Sequence, residues 1–233
     1  MDIRLHFTKT GSGPPLLLLH GNGEDSSYFV HQLPVFSRDF TVYAVDTRGH
    51  GKSPRGSAPF TLSQFADDLL DFLDQQGLPQ ADILGFSDGG NIALLFALRY
   101  PRRVGRLILN GANLDPRGVK ARVQFPTVLG YHAASLFQNP RARANAEMLG
   151  LMVNEPHIPP EALKKLTMPV LVVAGTRDMI RERHTRLIAD SIPGAQLAIL
   201  PGDHFVAHGN PDAFNRAVLD FLTPKTRSES SCE

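Results

Sequence analysis

The stretch Ile83-Leu84-Gly85-Phe86-Ser87-Asp88-Gly89-Gly90-Asn91-Ile92-Ala93 sets one serine between two glycines, as Gly85-x-Ser87-x-Gly89, where an apolar run gives way to a helical pattern. That spacing fits a sharp strand-to-helix turn that holds the serine in a strained, exposed backbone conformation. Glycines flank it because a side chain at either position would strike the neighbouring strand or the start of the helix. Ser87 is therefore a candidate nucleophile. A serine hydroxyl attacks poorly until a base takes its proton, and that base is usually a histidine oriented by a carboxylate.

Two later segments supply such groups. The apolar run 170–174 ends in Gly175-Thr176-Arg177-Asp178, and the run 196–200 ends in Leu200-Pro201-Gly202-Asp203-His204-Phe205. The chain order Ser87, Asp178, His204 is that of one known triad architecture, with each residue just past an expected strand. Asp178 has an alternative as an N-terminal acid for a helix at 181–191. His204 competes with His208, and a helical His204/His208 pair suits a metal, but no third ligand lies nearby, so no metal is expected. The distance from the strand end selects His204, and Asp203 reads as turn chemistry. Negative charge developing on a carbonyl oxygen needs backbone N–H donors. The expected ones are Asp88 N–H, at the helix start, and Asn22 N–H, in His20-Gly21-Asn22-Gly23 after the run Leu16-Leu17-Leu18-Leu19.

Two nucleotide-like signals fail on spacing. Gly51-Lys52-Ser53 resembles the end of a phosphate loop, but the required earlier glycine is Asp46. Gly85-Phe86-Ser87-Asp88-Gly89-Gly90 resembles a dinucleotide loop, but Ser87 stands where the second glycine belongs. Arg48-Gly49-His50-Gly51 reads as a structural turn near the site.

The elements that must position these residues follow from patterning. Strands are expected at 3–8, 16–19, 40–45, 82–85, 104–109, 170–174 and 196–200, with 16–19 a short continuous apolar run buried on both faces and 170–174 a clear buried strand. Helices are expected at 26–36, from a Thr61/Gln64 capping box to Gly77, at 88–100, 181–191 and 211–222. Alternation of this kind implies an α/β fold with a mostly parallel, doubly wound sheet, whose ligands bind at the carboxyl ends of the strands. From Gly111 to Thr167 the regularity weakens, and helices at 120–138 and 141–153 with a short one near 160–166 are expected. The division expected is a core of 1–111 and 168–224, a small helical cap insertion at 112–167, and a polar, disordered tail at 225–233.

At 233 residues with 42% hydrophobic and 20% charged residues, the composition is that of an ordinary globular enzyme. A formal charge of +1 gives no reason to expect nucleic acid or an anionic membrane surface as partner. No apolar run reaches a membrane span, and the first residues lack a signal-peptide layout. The single cysteine, Cys232, rules out a disulfide framework or a cysteine metal site and makes a cytoplasmic location the default.

Taken together, His20-Gly21-Asn22-Gly23, Asp46 to Ser53, Gly85 to Gly89, Asp178 and His204 resemble the α/β-hydrolase superfamily over nearly the whole chain. The resemblance implies a Ser-His-Asp hydrolase without cofactor, most simply a carboxylesterase of small esters. The elbow Ser87-Asp88-Gly89-Gly90 with Asn110-Gly111-Ala112-Asn113 is also similar to the valacyclovir hydrolase (biphenyl hydrolase-like) family. There it implies an ammonium-binding role for the Asp88 carboxylate, against the plainer role of complementing the helix N-terminus. Phe125, Tyr131, Phe137, Leu149 and Met152, with Phe86 and Phe205 beside the catalytic residues, either line an acyl pocket or pack the insertion onto the core. Amide, C–C and perhydrolase chemistry on the same triad, and a slow-turnover small-molecule receptor, are the competing expectations.

Overall fold

The computed structural model describes residues 2–223; the expected tail at 225–233, with Cys232, lies outside the described residues. Seven strands form one sheet: β1 (Phe7–Thr10), β2 (Pro15–Leu19), β3 (Thr41–Val45), β4 (Ala81–Phe86), β5 (Val104–Asn110), β6 (Val170–Gly175) and β7 (Gln196–Leu200). Their order is β1-β3-β2-β4-β5-β6-β7, with only β1 antiparallel to its neighbour. The four-leucine run of β2 is apolar throughout because both faces of the strand are covered. Leu17, Leu19 and Ile83 pack under helices α2 (Leu62–Gln75) and α3 (Asp88–Arg99), while Leu16, Leu18 and Leu84 pack against Phe214 and Val218 of the last helix. Strand order reverses between β2 and β4, so the loops after these two strands flank the crevice where such sheets bind ligands.

The opening strand starts later than expected, at Phe7 rather than residue 3, because its register is set by distant partners, Phe7 opposite Val45 and Thr10 opposite Val42. The expected helix at 26–36 is two short pieces, a 3₁₀ turn at Ser26–Phe29 and α1 at Leu33–Phe36. Ser26 N–H donates to Asp46 Oδ1 at 2.8 Å, and Pro34 brings no N–H for a continuous ladder. At α2 only half of the capping box forms. Thr61 Oγ1 accepts the Gln64 N–H, while the Gln64 amide turns to Asp68.

Between β5 and β6 the chain forms a 3₁₀ turn at Pro116–Gly118, α4 (Ala121–Ser135), α5 (Pro140–Asn154) and a 3₁₀ stretch at Pro160–Lys165. Leu114, Leu151, Ile158, Leu163 and Leu166 from this segment join the core beneath α2 and α3. The remaining helices are α6 (Glu182–Ser191), the short α7 (Val206–Gly209) and α8 (Pro211–Leu222). Among the described residues no helix is long and apolar enough to cross a membrane.

Candidate active site

Ser87 is the one non-glycine residue with positive φ among the described residues, at φ 52°, ψ −120°. Its N–H donates to the Asn110 carbonyl at 2.8 Å, and its carbonyl accepts Asn91 N–H at 3.0 Å, so the strained turn is held from both sides. The two glycines of the motif are sterically required. A Cβ on Gly85 would lie 2.2 Å from the Gly89 carbonyl oxygen, and one on Gly89 would lie 2.2 Å from the Leu19 carbonyl oxygen of β2.

The structure brings Asp178 and His204 to this turn. Ser87 Oγ lies 3.0 Å from His204 Nε2, and His204 Nδ1 lies 2.7 Å from Asp178 Oδ1. With Nδ1–H donating to the carboxylate, Nε2 is left to accept the serine hydroxyl proton. His204 is 4% exposed and Asp178 3%, so their hydrogen bond is shielded from water, while Ser87 is half-buried. Asp178 does not cap α6, whose N-cap is Arg181; its Oδ1 also accepts Ile180 N–H at 2.8 Å. The Lys120 ammonium donates to the Asp178 backbone carbonyl at 2.5 Å. His208 sits elsewhere, exposed on α7 with its ring against His31. Among the described residues no group of three or more His, Cys, Asp or Glu could hold a metal ion. Asp203 Oδ1 accepts Phe205 N–H at 2.9 Å, the turn contact that starts α7.

The loop after β2 abuts the same turn. His20 is 1% exposed, and burial pushes its pKa down to about 4, so it is neutral at pH 7. Its Nε2 accepts Thr47 N–H at 3.0 Å, which leaves Nδ1 as the donor to the Gly21 carbonyl at 2.7 Å. That carbonyl and the Asn22 N–H belong to one planar trans peptide, so fixing one aims the other the opposite way. Glu24 adds two constraints: its carboxylate accepts Gly21 N–H at 3.1 Å and its own N–H donates to Gly21 O at 3.3 Å. Burial raises the Glu24 carboxyl pKa. Asp88 is the first residue of α3, where the N–H has no helical partner. Its carboxyl is 8% exposed and is pushed up to about 6 by burial. Oδ1 accepts the Asn91 amide at 3.3 Å, the carboxyl faces the Asn22 amide, and Oδ2 is buried without a partner.

The aromatic and apolar candidates separate. Phe86 is 1% exposed, stacked on Tyr28 at 4.4 Å and 4.9 Å from the His204 ring, so it is a wall under the imidazole. Phe205 is 47% exposed and packs edge-on to His204. Phe125 and Phe137 are exposed; Phe125 lines a cavity of about 690 Å³ with Val128, Val153 and Arg181, away from Ser87. Tyr131 of α4 lies against Gly150 of α5, and Leu149 of α5 lies against Gly130 of α4. Met152 is half-buried on α5, and its carbonyl accepts the Gln124 amide.

Sequence reasoning passed over Glu24 and Lys120, and it placed His20 and Gly111 in motifs without a role of their own. At Gly111, φ is +64°, and a Cβ would lie 2.7 Å from His204 Cε1, so this glycine makes room for the imidazole. The Asn110-Gly111 pair at a strand end was the available signal for it. The Arg48 turn is structural: the fully buried guanidinium grips Asp68 at 2.7 and 2.6 Å and bonds Asp2.

A family model described as alpha/beta hydrolase fold matches residues 14–155. A putative carbamate hydrolase RutD from Rhizobium rhizogenes is 31% identical over 268 residues, covering 97% of this chain and 99% of that protein. A 3-oxoadipate enol-lactonase from Acinetobacter baylyi is 26% identical, covering 93% and 92%. Among solved structures, a hydrolase from Pseudomonas aeruginosa superposes with a TM-score of 0.74 at 30% identity over 94% of both chains. An enol-lactonase from Burkholderia xenovorans, at 24% identity, shares the fold with a TM-score of 0.81 over 95% and 97%. The strand order, the strained turn after β4 and these likenesses converge: the chain is an enzyme of the alpha/beta hydrolase family.

Proposed function

We propose that this enzyme hydrolyses small carboxylic esters, with Ser87 as nucleophile, His204 as general base and acid, and Asp178 as the orienting carboxylate. The observation that carries the reading is the continuous hydrogen-bonded chain from Ser87 Oγ through His204 to Asp178, at 3.0 and 2.7 Å, ending on a serine held at positive φ. His204 Nε2 takes the Ser87 proton as Oγ attacks the acyl carbon. The Asn22 and Asp88 N–H groups face the oxyanion, and His204 then gives its proton to the leaving alcohol. Water, deprotonated by His204, releases the acid from the acyl-enzyme. Acyl transfer from serine to water balances without metal or organic cofactor. The helices of segment 112–167 form the cap over this site, and a small-molecule ester is the partner.

The activities for which these relatives are named, on carbamates and an enol-lactone, also begin with attack on a carbonyl carbon, so both substrate classes belong in the test. An amino-ester preference through Asp88 is the weaker reading, because that carboxyl is 8% exposed and faces the Asn22 and Asn91 amides. Turnover of p-nitrophenyl acetate, a lactone, a carbamate and an aminoacyl ester tests the proposal. Ester turnover abolished in a folded Ser87→Ala variant is the expected result. Undiminished turnover in that variant overturns the mechanism, and a strong preference for the aminoacyl ester overturns the choice between readings.

A further inference from the structure

We propose that the Asn22 side chain is a positioning residue that couples helix α5 to the oxyanion donors, so that the reactivity of Ser87 depends on where α5 sits. The inference rests on the serine-hydrolase reading above and adds a role for a side chain where that reading uses only a backbone N–H.

The Asn22 amide nitrogen donates to the Met148 carbonyl at 2.7 Å, bridging 126 positions of sequence from the loop after β2 to the middle of α5. A carbonyl inside a helix already accepts one ladder hydrogen bond, so this contact uses its second lone pair and leaves the helix intact. The same Asn22 amide faces the Asp88 carboxyl. One of the two residues expected to point N–H groups at the oxyanion is therefore fastened through its side chain to α5, and the carboxyl of the other lies beside that amide.

Helix α5 is well enough anchored to act as a reference point. Glu147, next to Met148, takes the Arg55 guanidinium in a two-pronged pair at 2.8 and 2.6 Å. At the far end, Glu155 Oε2 accepts Leu62 N–H at 2.8 Å, which ties α5 to the first turn of α2. Leu151 is buried in the core between them. On the backbone side, His20 Nδ1–H and the Glu24 N–H both donate to the Gly21 carbonyl and hold the Gly21–Asn22 peptide from behind. The backbone contacts set the direction of the Asn22 N–H, and the side-chain bridge sets the placement of its loop against α5. Both are needed for two donors to converge on one atom, since a misplacement of about 1 Å costs up to about 10²-fold in rate.

The test is a cycle of Asn22→Ala, Glu147→Ala and the double variant, read by kcat and KM on p-nitrophenyl acetate and by the rate at which a fluorophosphonate labels Ser87. Alanine at 22 keeps the backbone N–H and removes only the bridge. We expect Asn22→Ala to lower kcat and the labelling rate about 10-fold with KM within about twofold, while labelling still runs to one Ser87 per chain at completion, which a smaller folded fraction does not allow. Glu147→Ala loosens α5 and lowers kcat about threefold, and in the Asn22→Ala background it costs nothing further. Wild-type kcat in Asn22→Ala, or two losses that multiply, overturns the coupling while leaving the triad reading intact. A wild-type protein whose Ser87 takes no label overturns the triad reading instead, and this inference with it.

Discussion

The carboxyl edge of the sheet and the α4–α5 segment that follows β5 are built to different tolerances. At the sheet edge every catalytic candidate is over-determined. Ser87 is held at positive φ by two backbone hydrogen bonds, Gly85 and Gly89 cannot accept a Cβ, and Gly111 leaves the space that His204 fills. In α4 no residue is buried, and Phe125, Leu129 and Leu136 are exposed. Helix α5 lies between these extremes, with Leu151 in the core and three polar ties to the loops around the site. The difference locates the functions. A proton relay needs atoms fixed to tenths of an ångström, so it sits where packing leaves one solution. On the proposed mechanism, substrate choice falls to α4, where side chains can change without disturbing the relay.

The comparison breaks first if the relay tolerates change. Asp178→Asn keeps the packing but removes the charge that fixes the His204 tautomer, and it is expected to lower kcat on p-nitrophenyl acetate about 10⁴-fold. A loss under tenfold would mean that the buried hydrogen bond is structural only. The next effect separates the two helices. Leu151→Ala in α5 opens a cavity in the core and is expected to cost about 2–5 kcal/mol in urea unfolding. Phe125→Ala in α4 is expected to stay within about 0.5 kcal/mol. Equal costs would show that α4 is anchored as firmly as α5.

A smaller, pH-dependent effect sharpens the account of Asp88. Its carboxyl is pushed up to about 6 in the folded protein, above its value in the unfolded chain. Folding therefore favours the protonated form, whose contribution is complete below about pH 4 and is lost as pH rises through about 6. Asp88→Asn imitates the protonated carboxyl. It is expected to be more stable than wild type at pH 8, by up to about 3 kcal/mol, with the advantage vanishing below about pH 4. An advantage independent of pH would assign the effect to packing.

The candidate relay was legible because each member comes shortly after a strand, and chain order survives folding. The parts it hid depend on contacts between distant segments. Helix 26–36 splits because Ser26 answers to Asp46 and Pro34 lacks a donor, and only the first of these is a tertiary fact. The position of β1 is settled by its register on β3, not by its own weak alternation. His20 and Lys120 act through backbone carbonyls, which no side-chain pattern announces. The aromatic residues of α4 and of the turn after it offered no face that distinguishes lining from packing, and Phe125 and Phe137 prove exposed.

On the proposed mechanism Ser87 is a live nucleophile. Intact-mass and peptide mass spectrometry after exposure to a fluorophosphonate probe tests it most directly. One adduct on the peptide containing Ser87, absent from Ser87→Ala and strongly slowed in Asp178→Asn, is the expected result. No adduct on folded wild-type protein, or labelling that persists in Ser87→Ala, contradicts the account.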